Sequence, residues 1–591
     1  MSVNRPLWQR WGLLVLIVIS LSTCQPQVVT VVVEATPTLV ATTAELEMER
    51  KVLKVNAGPG DIPTIDPARA DDDISSLQIV EETSVGLTRQ DEATAEVGPG
   101  MAISWDTAVN ADGTMTVTFH LRNDVPWVKW DGSHVVQVMD CQKTPAPRMV
   151  TAYDFEYGIL RTLAPSTVSD YAYVLNAAIV GAEFYNSGEA DGPATVAVNA
   201  TDNLTLEITF VNAAVYNINI AGMWGAHAQP SWLIEGDDCT ESRGDRWTET
   251  GFFQGYGPYT LQMWVHDSYL TLAKNPYWPG SEGIPQPKID EITFYILDET
   301  PAFARYEADN LDVSPVPLAD IDRVEADAVL SQELVIAPVQ CTYYYGFNTS
   351  KPFVNNVRVR RTLSMAIDRK GLIDNVIKGN QEPAQWFARP GLAGAPTMES
   401  HPDLGVKYDP AAARTLLEEY LAKTGIRVAD LGLTLMFNTS TDQQKIAEAI
   451  QQMWKEALGV EVELTNKEGK DYLKTLLEDA PQIWQLFWCQ DYPDANNFAK
   501  EVFASGGRME SATQWHNAAF DGILTQAALE ANPAKRVGLY AQAEQILVYE
   551  DAVIAPIYWY TRSTVTKPYV TCTSSVLGGL EHFEKWDVAV H

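Results

Sequence analysis

Basic residues are scarce in this 591-residue chain, where 42 lysines and arginines face 77 aspartates and glutamates, a formal net charge of -35. A phosphate backbone needs a basic stripe and none is visible, so nucleic acid is excluded as a partner. The excess acid reads as a well-solvated surface with a mild attraction for cationic ligands. Histidine is thin too: eight residues, dispersed at 120, 134, 227, 266, 401, 516, 582 and 591, read as strand or surface positions and not as ligands. No Gly-rich phosphate loop, no His-Glu-x-x-His and no Gly-x-Ser-x-Gly elbow occurs. Carboxylate pairs abound, as 77 acids dictate, and so say little about acid–base chemistry. Asp71-Asp72-Asp73 lacks the further ligands and the glycine of a calcium loop, and reads as a solvated turn. No enzyme is expected, and no cofactor or metal.

Long apolar runs are also missing. The longest candidate, Gly12 to Ser20, follows Arg5 and Arg10 and is too short for a spanning helix, which needs about 20 residues. It reads as an export signal. It leads into Leu21-Ser22-Thr23-Cys24, which resembles the lipobox of bacterial lipoproteins. That resemblance implies a signal peptide over 1–23, a lipidated Cys24 and anchoring outside the cytoplasm; a plain secretory signal is the alternative. Residues 24–50, rich in Val, Thr and Pro at their start, read as a tether.

Cysteine numbers six, and Cys24 aside leaves 141, 239, 341, 489 and 572. Disulfides are permitted after export. At most two can form among five thiols, and none shows Cys-x-x-Cys spacing, so zinc is weakly supported.

What is present is length enough for two to four domains, and seventeen tryptophans suited to buried interfaces or stacking platforms. Val52–Ala57, Met115–Leu121 and Leu204–Phe210 alternate as strands, and strand-rich segments continue through Tyr259–Leu272 and Ile289–Leu297. From Val357 the pattern turns helical. Asp409-Pro410 opens a helix to about Lys423, with Asp as N-cap and Pro at the first position. Leu433–Phe437, Gln443–Leu458 and Val460–Leu464 then read as strand, amphipathic helix and strand. This alternation implies an α/β fold with a partly parallel sheet.

Five segments occur in order: Pro99-Gly-Met-Ala-Ile-Ser-Trp105 with Phe119-His-Leu-Arg122 and Trp130-Asp-Gly132; Val150-Thr-Ala-Tyr-Asp-Phe155; Gly255-Tyr-Gly-Pro-Tyr-Thr-Leu261 with Lys274-Asn-Pro-Tyr-Trp278; Cys341-Thr-Tyr-Tyr-Tyr345 through Ile367-Asp368-Arg369; and Trp488-Cys-Gln-Asp-Tyr492. Together they resemble the oligopeptide- and dipeptide-binding (family 5) solute-binding proteins of bacterial ABC importers, over about residues 52 to 591. The resemblance implies a bilobed periplasmic-binding-protein-like fold (type II, cluster C) with an extra small lobe. Lobe I would take 51–100, 205–340 and 561–591, lobe II 101–204 and lobe III 341–560.

The resemblance also implies a site. Asp491 would pair with the α-ammonium of a bound peptide, a charge costly to bury alone. Trp488 would line a side-chain pocket, with Cys489 beside it, and Tyr171 would reach the ligand from the small lobe. Asp71 and Asp73 would lie on an extended strand pairing with the peptide backbone. Relatives with the two cysteine motifs bridge them, which implies Cys341–Cys489; Cys141–Cys239 follows by elimination. Cations that clamp a peptide carboxylate in relatives are replaced by Gln443 and Gln485, an aromatic by Gly469 and an acid by Gly346. The function implied is peptide capture in an interlobe cleft by a monomer, with delivery to a permease and its ATPase. A receptor for a non-peptide solute such as an oligosaccharide is the alternative, and a non-transport sensor or chaperone lipoprotein the third.

Overall fold

Strands of alternating burial place the core on one face of each sheet. In Met115–Leu121 the side chains of Met115, Val117, Phe119 and Leu121 point inward and the residues between them face outward, the period-2 pattern of a half-buried strand. The structure is a computed structural model describing residues 50–589 apart from 72, 574 and 578. The signal peptide, Cys24 and the tether up to residue 49 fall outside the described residues, as does Asp72. Among the described residues no helix is long and apolar enough to cross a membrane.

Three larger sheets, beside three two-stranded ones, organise the described residues. The first has Val52–Gly58 parallel to Glu291–Ile296, which continues antiparallel into the hairpin Tyr269–Lys274 and Tyr259–Val265. The second is antiparallel, in the order Ala102–Val109, Met115–Leu121, Thr205–Phe210, Val198–Asp202. The lobe bounds implied by the resemblance put Thr205–Phe210 in lobe I, but it is ladder-bonded on both sides to strands of the 101–204 segment. The reason is its inward row Leu206, Ile208 and Phe210, which shares a core with Val117 and Phe119.

The third and largest sheet runs Val313–Pro315, Ile554–Thr566, Leu334–Phe347, Ile483–Cys489, Leu433–Asn438, Val462–Lys467. The last two strands are parallel and joined by the helix Thr441–Leu458, the expected β-α-β unit. That helix starts two residues earlier than the apolar pattern indicates, because Ser440 caps it by accepting from the Gln443 amide. Leu334–Phe347 and Ile554–Thr566 pair in two stretches, Leu334–Pro338 against Thr561–Val565 and Thr342–Gly346 against Ile554–Trp559, with a register shift between them. They run unbroken through positions 340/341 and 560/561. Two large apolar cores result, one from residues 53–294 with 570–588, the other from residues 343–559. The α/β class follows directly from the alternation in the sequence.

Candidate functional site

The strand Ile483–Cys489 sends successive side chains to opposite faces, so Phe487 is 48% exposed while Trp488 is 5% exposed. Cys489 stands directly opposite Cys341 in the antiparallel register, and the two are disulfide-bonded with Cα atoms 4.0 Å apart. Two residues further comes Asp491. Asp494 then caps the helix Ala495–Phe503, which brings Asn497 back over the strand end. Asn497 Oδ1 accepts from the Asp491 amide and from Trp488 Nε1, both at 3.0 Å, and its Nδ2 donates to Asp491 Oδ2 at 2.7 Å. One amide side chain therefore orients both residues.

The remaining donors come from a distant segment. Tyr171 and Tyr173, at the start of the short helix Ala172–Ala178, donate their hydroxyls to Asp491 Oδ1 and Oδ2, each at 3.1 Å. Burial, and then the charge of Asp491, push the Tyr173 hydroxyl well above its ordinary range. The Arg508 guanidinium lies 6.0, 5.7 and 5.9 Å from the ring centres of Tyr171, Tyr173 and Trp488. Asp491 is buried among these groups. A buried carboxylate oriented by tyrosine hydroxyls and an asparagine amide, and walled by aromatic faces, is suited to receiving a hydrogen-bonding ammonium group.

Tyr171, Trp488 and Asp491 border a cavity of about 550 Å³, within the usual range for a small-ligand site. Tyr171, Trp488, Cys489 and Asp491 all line it, as do Asp71 and Asp73. The cavity thus gathers every proposed ligand residue, though not all in the expected role. Residues 71 and 73 form no strand. Asp73 is the N-cap of the helix Ile74–Thr83, accepting from the Ser76 amide at 2.9 Å, and Asp71 accepts from the Asp73 amide at 3.1 Å. Both carboxylates are engaged in this local turn, because an aspartate just before a helix finds unpaired amides close by.

The cavity is also lined by Glu81, Arg89 and His582. Arg89 pairs with Glu81 at 2.6 Å and with Glu584 at 3.3 Å, and His582 Nδ1 stands 3.0 Å from Glu92. Burial and the charge of Glu584 push Glu82 far up. Burial alone would raise Glu92 as well, but hydrogen bonds from His582 and Lys585 outweigh it and hold that carboxyl low.

The departures have local reasons. A Cβ on Gly346 would lie 2.1 Å from the Trp484 ring, so no acid fits there. Gln443 accepts from the Tyr343 hydroxyl at 2.6 Å, and Gln485, buried, accepts from Tyr472 at its carbonyl. Neither borders the cavity. Gly469 opens the helix Gly469–Asp479 with open space beside it. The second expected disulfide, Cys141–Cys239, is also present, and Cys572 is exposed and free.

Residues 96–510 match the family model described as bacterial extracellular solute-binding proteins, family 5, middle region. The chain belongs to that family. It is 31% identical over 512 residues to the oligopeptide-binding protein OppA of Bacillus subtilis, covering 85% of this chain and 86% of that one. It is also 31% identical over 517 residues to the periplasmic murein peptide-binding protein MppA of Escherichia coli, covering 86% and 87%. The solved structure of the E. coli murein tripeptide binding protein MppA superposes with a TM-score of 0.74 at 27% identity, covering 92% of this chain and 99% of that one. The fold of this family 5 protein is thus the bilobed α/β solute-binding fold.

Sequence reasoning passed over four residues of this site: Tyr173, Asn497, Arg508 and Phe487. Tyr173 lies two positions from Tyr171, and Phe487 is the cleft-facing partner of Cys489 in a period-2 strand, so both carried a readable signal. Asn497 and Arg508 carried none.

Proposed function

We propose that this protein is an extracytoplasmic solute-binding lipoprotein of an ABC importer, anchored through Cys24, that captures short peptides and delivers them to a permease with its ATPase. The observation that carries the reading is Asp491, a buried carboxylate on the cavity wall oriented by Tyr171, Tyr173 and Asn497. Its role is to receive the peptide α-ammonium, whose burial unpaired would cost several kcal/mol. The names of the two relatives, oligopeptide-binding and murein peptide-binding, point the same way. Ligand binds between lobe I with its small lobe and lobe III, and the long strand pair Leu334–Phe347 and Ile554–Thr566 is the hinge about which they close.

Asp491→Asn keeps the shape and removes the charge. Calorimetry with a free-amine peptide is expected to show affinity reduced by about 30-fold or more, on the scale of a lost charge-assisted hydrogen bond of about 2–3 kcal/mol. Unchanged affinity in a folded variant would exclude the amine clamp and favour a solute such as an oligosaccharide, held by aromatic faces. Mass spectrometry of the ligand retained through purification identifies the cargo directly.

A further inference from the structure

On one strand the cavity lining begins at Phe487. Along the strand that leads to Asp491, residues 487 to 491 border it, and the residues before them do not. Phe487 is half exposed there, so its ring presents an apolar face to whatever occupies the cavity. Behind it stands a packed aromatic wall. The Phe487 ring meets Tyr560 edge-on at 5.9 Å, Tyr560 meets Tyr558 at 5.0 Å, and Tyr558 stacks on Tyr343 at 4.8 Å. Tyr343 in turn is tied to Gln443 on the helix Thr441–Leu458. Tyr343 and Tyr558 are buried, so the ring of Phe487 has a filled interior at its back.

We propose that Phe487 is the length-determining residue of the cleft, limiting its ligand to about three or four residues. This rests on the peptide reading with the amine at Asp491. Asp491 lies four positions beyond Phe487 and two beyond the end of the strand, so the two are at most about 13 Å apart at roughly 3.3 Å per residue. A peptide lying along this strand from Asp491 therefore reaches the Phe487 ring by about its fourth or fifth residue. The same geometry accounts for Gln443 and Gln485. They lie among the aromatic wall and off the cavity, where a ligand that stops at Phe487 never arrives, so no cation is required of them.

The test is calorimetry of the free-termini series dialanine to pentaalanine against the wild-type protein, Phe487→Ala and Phe487→Trp. Phe487 is half exposed, and thermal melts verify that both variants are folded. For the wild type, dialanine and trialanine are expected to bind at least about 10-fold tighter than pentaalanine, a difference of about 1.4 kcal/mol. Phe487→Ala is expected to raise pentaalanine affinity by at least about 10-fold and to leave dialanine within about 3-fold, while Phe487→Trp preserves the discrimination. Equal binding of all lengths by the wild type, or a length profile unchanged in Phe487→Ala, overturns the length gate and leaves the peptide reading standing. Failure of the wild type to bind any member of the series overturns the peptide reading, and the gate with it.

Discussion

Tyr171 and Asp491 are 320 positions apart in the chain, and the tyrosine hydroxyl donates to the carboxylate at 3.1 Å. The small-lobe segment and the end of the large sheet thus meet at one charged atom. Tyr171→Phe removes that donor and keeps the ring against Tyr173 and Trp224. A hydrogen bond to a charged group contributes about 1.5–3 kcal/mol to stability, and this one is part of the fold. The melting temperature is therefore expected to fall modestly, and peptide affinity to fall by roughly 10-fold as the carboxylate is less firmly oriented. Titration calorimetry and a thermal melt on the same preparation check both halves.

The two disulfides are expected to separate stability from binding. Cys341–Cys489 joins residues 148 apart and ends two residues before Asp491, whereas Cys141–Cys239 joins residues 98 apart and borders no part of the cavity. Loops of this length gain about 2–5 kcal/mol from closure. Replacing either pair by serines should lower stability in urea by an amount of that order. Only the Cys341→Ser, Cys489→Ser protein should also lose peptide affinity.

A buried carboxylate away from the cleft sets a pH dependence. Glu544, in the helix Pro533–Gln545, accepts from the amides of Phe387 and Ala388 at 2.9 and 2.7 Å, and burial pushes its pKa up to about 7 despite those bonds. A carboxyl whose folded pKa lies above its unfolded value favours folding in the protonated form. Its contribution is complete below the ordinary range near 4.5 and is lost as pH rises toward 7, a change on the order of 3 kcal/mol. Glu544→Gln does not titrate. Urea denaturation at several pH values from 5 to 8 should therefore show the variant gaining stability relative to the wild type as pH rises.

Much of the fold was legible because single elements declared themselves. Met115–Leu121 alternates cleanly, and the helix Pro410–Thr424 begins at the Asp409-Pro410 signal, with Asp409 accepting from the Ala412 amide. The assignment of Thr205–Phe210 was less legible. Its alternation identifies a strand, and only the pairing with Met115–Leu121 says to which sheet it belongs. The site shows the same division. Asp491 and Trp488 stand in one short motif, yet the donors that orient them arrive from Tyr171, Tyr173 and Asn497 through tertiary packing. The acids at 71–73 read by themselves as a solvated turn, and only the resemblance implied a peptide-pairing strand; Asp73 in fact caps a helix. Gly346 read as a lost acid, where the Trp484 ring leaves no room for any side chain.

The most direct measurement compares one peptide with its N-acetylated form by calorimetry on the wild-type protein and on Asp491→Asn. Acetylation removes the ammonium and leaves the remaining contacts. The amine clamp requires the wild type to lose about 30-fold or more in affinity on acetylation, with Asp491→Asn weak toward both forms and indifferent between them. Equal binding of the free and acetylated peptides by the wild type would contradict it.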